Sequence, residues 1–264
     1  MTSSVHHGGP AQLTLEQLRA EARALAHRNH PSIPTTYHYW ASYQESRRGP
    51  GYLRRWIGGE TVHARVARLG PEGIPFALQV LREAGSTLAY LHDTGAAHGA
   101  ISASTIWLTP GGRLWVLGWE WVLPRDQRPA GLQPDTAYTP RPPEWAANEW
   151  RPTPASDQWQ LAAMLFTMLT GETPPERDVP PISLLRPDCP QALAAVMERA
   201  LAPKPEDRFL SIAAMLRDMD RHVAVRQVMI APEGDELPTT PDSAEARLRW
   251  ATADDYEILS PLGS

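Results

Sequence analysis

Few residue types in this chain could do chemistry, and they lie far apart. The 264-residue sequence contains one lysine, Lys204, and one cysteine, Cys189. Its nine histidines lack the spacing of metal ligands, such as paired positions on one helix with a nearby carboxylate. Lysine supplies a compact point charge, for which the planar guanidinium of arginine is a poor substitute. Any phosphate chemistry before Lys204 would therefore lack its usual cation.

Composition and charge exclude several classes of protein. A net charge of −5 and a pI near 6.0 argue against a general nucleic-acid binder. The lone cysteine excludes an internal disulfide and a cysteine-based zinc site, and it fits a reducing compartment. The first ten residues lack the apolar core of a signal peptide, and no apolar run approaches the ~18 residues of a membrane span. We therefore expect a cytoplasmic protein with no metal site.

The elements that must position any site alternate between helical and strand patterns. Apolar residues at helical spacing predict helices over 13–29, 75–94, 156–169, 190–202 and 211–224. Alternating runs predict strands over 35–43 and 52–57, followed by a short hairpin of 106–108 and 114–116. A proline-rich loop is expected over 124–143, and the composition turns polar and acidic from about 232.

Several short motifs occur in a characteristic order along the chain. After the second helix comes HGAISAST over 98–105, and then RLWVLGWE over 113–120. Further along are PPE at 142–144, SDQW at 156–159 and PEDRF at 205–209. In this order and spacing they resemble the large lobe of protein kinases of the bacterial Ser/Thr type. Upstream, the segment around Glu21 resembles the small-lobe helix.

The resemblance covers about residues 15 to 225 and implies a fold. It implies an α+β, protein-kinase-like bilobal fold with a mostly α-helical large lobe and a reduced β small lobe. The expected organisation is a small lobe over 1–60, a large lobe over 61–231, and a linker with a strand-like segment over 232–264. No Gly-rich loop precedes Glu21, so the first three small-lobe strands are expected to be missing.

The departures from the family lie at the chemical positions. The resemblance places the family's catalytic base, loop lysine, metal-binding asparagine and metal-binding aspartate at Ala100, Ser102, Thr105 and Gly118. None of these side chains is a base, and together they offer magnesium one hydroxyl at best. The resemblance thus implies a pseudokinase that is not an enzyme and has no cofactor. It would act as a protein-binding or regulatory module with an unidentified protein partner.

Two alternatives stay open. The chain could be a divergent kinase or nucleotide transferase that uses unconventional residues, for which Asp93 and Glu120 are the candidates. It could also be a half-domain that another chain completes.

The positions that hold the family's scaffold together are retained. The resemblance implies a buried ion pair between Glu144 and Arg208. It also implies that Asp157 holds the backbone of the loop at His98 and Gly99. An apolar column between the lobes would consist of Leu25, His98 and Trp119.

Three sets of residues allow more than one interpretation. Glu21, at the ion-pair position of its helix, has no lysine partner and is expected to be a solvated charge. Trp107 either plugs the adenine pocket or is ordinary core. An alternating stripe predicts one strand face, which would be core or a partner surface; its members are Trp115, Leu117, Trp119 and Trp121.

The last eleven residues, 254–264, resemble the first strand of a kinase domain. Three interpretations compete: a relic of a further kinase domain, a tail, or a strand that docks on the reduced small lobe. In the last case Tyr256–Leu262 could also exchange between two copies, which would give a strand-swapped dimer.

Overall fold

The structure is a computed structural model that describes residues 15–26, 28–40, 51–122, 134, 139–145 and 150–227. The segment Tyr256–Leu262 and most of the predicted loop over 124–143 lie outside these residues. The architecture is α+β, with a small two-stranded part followed by a mostly helical part. It matches the predicted fold class.

The N-terminal part consists of one helix and a two-stranded antiparallel sheet. Helix α1 spans Leu15–Ala26, and strands β1 and β2 span Thr36–Trp40 and Gly51–Arg54. Each element was predicted, although each is shorter than its apolar pattern. His38 pairs with Leu53, and a bulge lies between Thr36 and His38. In the described part of the chain, these two strands pair only with each other.

A second antiparallel sheet lies at the top of the helical part. Strands β3 (Glu60–Thr61), β4 (Ile106–Leu108) and β5 (Leu114–Val116) are ordered β3-β4-β5. The hairpin of β4 and β5 has the predicted bounds. The strands of this sheet are only two or three residues long, so the turns at their ends lie close together.

Six helices build the rest of the large lobe within the described ranges. They are α2 (Val62–Leu69), α3 (Ile74–Asp93), α4 (Pro154–Thr170), α5 (Ile182–Leu185), α6 (Gln191–Ala200) and α7 (Ile212–Gln227). Helix α4 is buried on nearly all sides, as its broad apolar pattern predicted. It begins at a reciprocal capping box of Thr153 and Ser156 and ends at Gly171, whose φ of 82° lies in the left-handed region. Helices α2 and α5 were not predicted, because each is short and buries few residues.

The predicted strand from residue 115 to 121 is wrong. β5 ends at Val116, and a 3-10 turn spans Trp119–Trp121. Gly118 lies between them with a φ of 88°, which reverses the chain and breaks the alternation of side chains. The stripe therefore divides: Trp115 and Leu117 join a small cluster with Ile57, and Trp119 enters the main core.

One main core joins the two parts of the molecule. α3 packs against α4 and α7, and Leu25 of α1 belongs to the same buried cluster. α1 also contacts the 3-10 turn Trp119–Trp121. Across the part of the chain that the structure describes, no helix is both long and apolar enough to traverse a bilayer.

Candidate functional site

The loop over 98–105 is held from below by a buried carboxylate. Asp157, in the first turn of α4, accepts hydrogen bonds from the backbone N–H groups of His98 and Gly99, both at 2.7 Å. Its Oδ2 also lies 2.8 Å from Nε2 of His92. The Asp157 side chain is fully buried, so these donors replace the water that a carboxylate would otherwise bind.

His98 is a neutral packing residue. Its Nε2 lies 3.0 Å from the carbonyl of Leu117, and its Nδ1 accepts the N–H of Ala100 at 3.3 Å. These contacts assign the proton to Nε2. Burial lowers the pKa of His98 to about 4, so the imidazole stays uncharged near neutral pH. Trp119 meets it edge-on, with ring centroids 5.4 Å apart.

Leu25 and Trp119 both belong to the main buried core. His98, which contacts Trp119, is completely inaccessible to solvent. The column of Leu25, His98 and Trp119 stays a prediction.

The loop turns its own polar groups inward. The Thr105 hydroxyl accepts the N–H of Ser102 at 2.9 Å and lies 3.1 Å from the carbonyls of Ala100 and Ser102. Ser102 and Ala100 are each 1% exposed. The one hydroxyl that could face a metal ion is thus engaged within the loop, and the predicted base position is a buried methyl group.

Two glycines at the site have left-handed backbone conformations and little space for a side chain. Gly99 and Gly118 have φ values of 74° and 88°, a region that side chains rarely adopt. A Cβ at Gly118 would lie 3.0 Å from Cγ2 of Thr105 and 3.2 Å from Cε1 of His98. At Gly99 a Cβ would overlap the ring of Pro152. The backbone itself therefore disfavours a carboxylate at the metal position.

The residues at the positions of the family's metal ligands do not fit a magnesium ion. Magnesium requires several oxygen ligands in octahedral geometry, whereas Gly118 has no side chain and the Thr105 hydroxyl is engaged. Among the described residues, no group of three or more potential metal ligands lies together.

Glu21 is not the solvated charge that its sequence context suggested. It is 3% exposed, and its Oε1 lies 3.9 Å from Nε of Arg54 on β2. Arg54 lies on β2, far from Glu21 in the sequence. It is also an arginine, whereas the family pairs this glutamate with a lysine, so the sequence did not predict the contact. Burial in the first place, and the nearby Glu21 carboxylate in the second, raise the pKa of Glu120 to about 8. Two carboxylates thus share one guanidinium where α1 meets the 3-10 turn.

Trp107 lies in the small cluster beside the cleft. It is half-buried against the buried side chains of Ile57, Trp115 and Leu117. The guanidinium carbons of Arg55 and Arg113 lie 5.3 and 4.5 Å from the centre of the Trp115 ring. The structure therefore places Trp107 in a small apolar cluster. Its role as a plug of the adenine pocket stays a prediction.

The ion pair at the base of the large lobe is fully matched. Arg208 donates from Nη1 and Nη2 to the two oxygens of Glu144, at 2.8 and 2.7 Å. Its remaining N–H groups donate to backbone carbonyls, namely those of Ala202, Ala155 and Pro203. All five guanidinium donors have acceptors, so the buried charge of Arg208 is well compensated. Glu144 is exposed, so the predicted pair is buried on its arginine side only.

Sequence reasoning missed two polar residues that support the loop. Gln160 accepts the N–H of Ile101 at 3.3 Å and donates to the carbonyl of Pro140 at 3.0 Å. Trp150 donates its indole N–H to the carbonyl of Gly99 at 2.9 Å. A glutamine inside an otherwise apolar helix was the available signal, because a buried amide needs specific partners.

The two candidate residues for unconventional chemistry lie in different surroundings. Glu120 is half-buried at the contact between α1 and the 3-10 turn. Asp93 is exposed at the last residue of α3. The structure therefore does not bring them into one buried site.

Comparison with known proteins identifies relatives among bacterial kinases. The chain is 25% identical over 252 residues to the serine/threonine-protein kinase PknA of Mycobacterium tuberculosis. This match covers 90% of the chain but 57% of PknA, so the chain spans a little over half of that relative. PknE of the same organism is 27% identical over 172 residues, covering 60% of the chain and 30% of PknE. No family model matches the sequence.

Solved structures share the fold. The crystal structure of the PknI kinase domain of Mycobacterium tuberculosis, a C20A mutant, aligns with a TM-score of 0.59 at 23% identity. That alignment covers 78% of this chain and 77% of the PknI chain. A structure of Rad53 1-466 in complex with AMP-PNP aligns with a TM-score of 0.60 at 16% identity, covering 77% and 54%.

The chain has a protein kinase-like α+β fold with a reduced small lobe, and its sequence is similar to those of bacterial serine/threonine-protein kinases. The expectation that it is not an enzyme is wrong by these comparisons, because the curated relatives it matches are serine/threonine-protein kinases. Loss of motif residues suggested the opposite, whereas the relatives that the chain resembles are enzymes.

Proposed function

We propose that this chain is a protein-binding, regulatory module of the protein kinase-like superfamily, of the type called a pseudokinase. In this proposal the loop over 98–105 supports the packing of the large lobe. The proposed domains are a small lobe over 1–60, a large lobe over 61–231 and a linker with a strand-like segment over 232–264. A cytoplasmic location is part of the proposal, and the single, buried Cys189 is compatible with it.

The observation that carries this proposal is the inward-turned loop. The Thr105 hydroxyl bonds within the loop, Ala100 is buried, and Gly118 adopts a φ of 88° with Thr105 against it. Positioning and charge account for nearly all of phosphoryl-transfer catalysis, and these positions supply neither. The large lobe keeps its packing while the Thr105 hydroxyl bonds within its own loop. This combination favours a role in binding.

A second candidate is phosphoryl or nucleotide transfer by unconventional residues, and it rests on Glu120. A half-buried carboxylate with a pKa raised to about 8 is typical of functional sites, although structural charge clusters produce the same shift. Glu120 would then hold a proton near neutral pH and could act as a general acid.

One experiment separates the two candidates. The full chain would be incubated with labelled ATP and Mg²⁺ or Mn²⁺, and its thermal melting would be followed in parallel. Saturable nucleotide binding raises stability by RT ln(1 + [L]/Kd), about 2.7 kcal/mol at a hundredfold excess over Kd. The binding module predicts no metal-dependent shift and a specific protein partner in quantitative co-purification.

Label transfer by the wild-type chain that Glu120→Gln abolishes would favour the second candidate instead. Glu206→Gln is the control, because Glu206 is an exposed glutamate in a separate 3-10 turn, Pro205–Asp207. Absence of any specific partner under conditions where the chain is folded would contradict the binding role.

A further inference from the structure

A small cavity lies in the lower half of the large lobe, away from the loop over 98–105. Its volume is about 200 Å³, and it is bounded by α4, the segment 176–182, and the end of α6. Buried apolar side chains form its floor: Phe166, Ile182, Met197 and Leu201. A space of this size and lining suits one apolar side chain of a ligand rather than a whole nucleotide.

The rim of this cavity is acidic. Glu176, Asp178 and Glu198 line it and are exposed, with Arg177 as the one basic residue among the lining side chains. The rim therefore carries an excess of negative charge directly above an apolar floor. Electrostatic complementarity of this kind selects a partner by charge and accelerates its association.

Exposed apolar residues extend the surface beside the cavity. Leu184 and Leu185 of α5 are 73% and 47% exposed. Exposed leucines next to a concave apolar site are typical of interaction surfaces, whereas single exposed leucines elsewhere need no explanation. We refer to the cavity, its rim and these two leucines as the acidic pocket.

The acidic pocket is preorganised by its anchoring contacts. Arg186, which follows α5, donates to the carbonyls of Leu169 and Glu72 at 2.6 and 3.0 Å. It also forms a two-point contact with Asp188, at 2.8 and 2.9 Å. Because the short helix is tied to the end of α4, its leucines are presented with little loss of conformational freedom on binding.

We infer that the acidic pocket binds a basic segment of a partner protein that carries one apolar anchor residue. The apolar floor would receive the anchor, and the three carboxylates would pair with flanking arginines or lysines. A second copy of this chain is a poor occupant, because a two-fold interface would bring the acidic rims together. This inference rests on the proposed binding function and identifies the surface and the chemistry of the partner.

The test uses the full chain and defined synthetic peptides. A labelled peptide with one leucine between arginine pairs would be titrated and followed by fluorescence anisotropy. Controls are the same peptide with alanine for leucine, and one with glutamates for the arginines. We expect binding of the first peptide alone, weakening as salt rises above about 0.15 M, where surface charges are screened beyond ~8 Å.

Matched variants locate the site. Glu198→Lys and Glu176→Lys should each weaken binding by about tenfold or more, which corresponds to about 1.4 kcal/mol. Leu184→Ser should weaken it less. Glu206→Lys and Leu210→Ser are the controls, since Glu206 is exposed and Leu210 is 98% exposed and neither lines the cavity. All five positions are exposed, so the variants should fold normally.

Equal affinity for the acidic peptide, or unchanged affinity in both charge-reversal variants, would overturn the inference. Concentration-dependent dimerisation that Glu198→Lys alters would also overturn it, in favour of a second copy. If co-purification finds a specific partner that both charge-reversal variants retain, the acidic pocket is excluded while the binding role stands. If no partner exists, the binding role itself fails.

Discussion

The molecule contains two glutamate–arginine sites, and they differ in how well their charges are matched. At the base of the large lobe, Arg208 donates all five of its N–H groups, two of them to Glu144 at 2.8 and 2.7 Å. At the cleft, Arg54 approaches Glu21 only to 3.9 Å, and Glu120 brings a second carboxylate. The first site is saturated with hydrogen bonds, whereas the second has two carboxyl groups for one guanidinium.

The first site contributes to the stability of the fold, whereas the protonation of the second site can change with its surroundings. Loss of the buried Arg208 guanidinium would leave Glu144 and three backbone carbonyls without their donors, and unpaired buried acceptors are costly. An unbalanced cluster responds instead to pH or to a binding partner, because its protonation depends on its surroundings. The site at Arg208 keeps the residues of the family's scaffold, whereas the loop over 98–105 differs from the family at its chemical positions.

The largest expected effect is at the base of the large lobe. Arg208→Ala should lower the free energy of unfolding by about 3–5 kcal/mol, since it removes a fully buried guanidinium and leaves its five acceptors without donors. Arg208→Lys should also destabilise, because an ammonium has three donors for five acceptors. Chemical denaturation measures both.

Arg221→Ala is the matched control, because Arg221 is exposed and pairs with Asp218 three residues away. It should change stability by no more than about 0.5 kcal/mol. Equal losses in Arg208→Ala and Arg221→Ala would show that the buried, fully hydrogen-bonded guanidinium contributes no more stability than an exposed ion pair.

The next effect is expected in the aromatic cluster at the cleft. Trp107→Ala should cost about 2 kcal/mol, less than the ~3–5 of a fully buried tryptophan, because Trp107 is half-buried. The space that it leaves should admit a flat aromatic ligand such as adenine. Thermal melting with and without adenine measures both effects. A folded variant that gains no affinity for such ligands would show that Trp107 is ordinary core.

A smaller effect should follow from restoring the missing metal ligand. Gly118→Asp forces a side chain into a left-handed conformation, at a cost of about 1–2 kcal/mol, and against Thr105 as well. Gly95→Asp is the control, because Gly95 has a φ of 76° with open space around it. We expect Gly118→Asp to be less stable than Gly95→Asp by about 1 kcal/mol, with no gain of Mg-ATP binding. Gain of a Mg-dependent melting shift would show that the loop can still open.

The cleft cluster should give the wild-type chain a distinctive pH dependence. The pKa of Glu120 is raised from its ordinary value of 4.5 to about 8, so the folded state holds this proton over a range where the unfolded state has lost it. The resulting stability is complete below about pH 4.5 and is lost as the pH rises through 8. Glu120→Gln should remove this fall.

The difference between the two pH profiles, from pH 5 to 9, isolates the contribution of Glu120 from other titrating groups. Its size is expected to be on the order of 1 kcal/mol, since the carboxylate is partly solvated. Superimposable profiles would mean that Glu120 ionises normally.

The smallest effect is expected from the C-terminal segment, which lies outside the described residues. Tyr37, Leu53 and Trp56 leave apolar surface exposed on and beside the two-stranded sheet. If Tyr256–Leu262 docks there, deleting residues 254–264 should cost a few tenths to about 1 kcal/mol and promote aggregation. Hydrogen exchange should then show protection of the segment in the full chain.

A cysteine pair, Leu53→Cys with Ile258→Cys in a Cys189→Ser background, would identify the route of docking. A disulfide within one chain indicates folding back, and one between chains indicates a strand-swapped dimer. No disulfide and no protection from exchange would exclude the docked strand.

The sequence alone determined the fold class and most of the scaffold. Periodic apolar residues predicted α3 and α4, because helices that bury a face must repeat it every three to four residues. The hairpin of β4 and β5 was read from its turn residues. The ordered motifs placed Glu144, Asp157 and Arg208 at their structural positions before any contact was known.

Tertiary structure alone decided the partners of the charged groups and the path around Gly118. Arg54 meets Glu21 across a separation that no local pattern encodes, and this contact made a supposedly solvated glutamate a buried one. The alternating tryptophans looked like a strand because local spacing cannot show that a glycine will adopt a left-handed φ. Local periodicity reflects which face is buried, whereas charge compensation and backbone reversal depend on what the rest of the chain brings into contact.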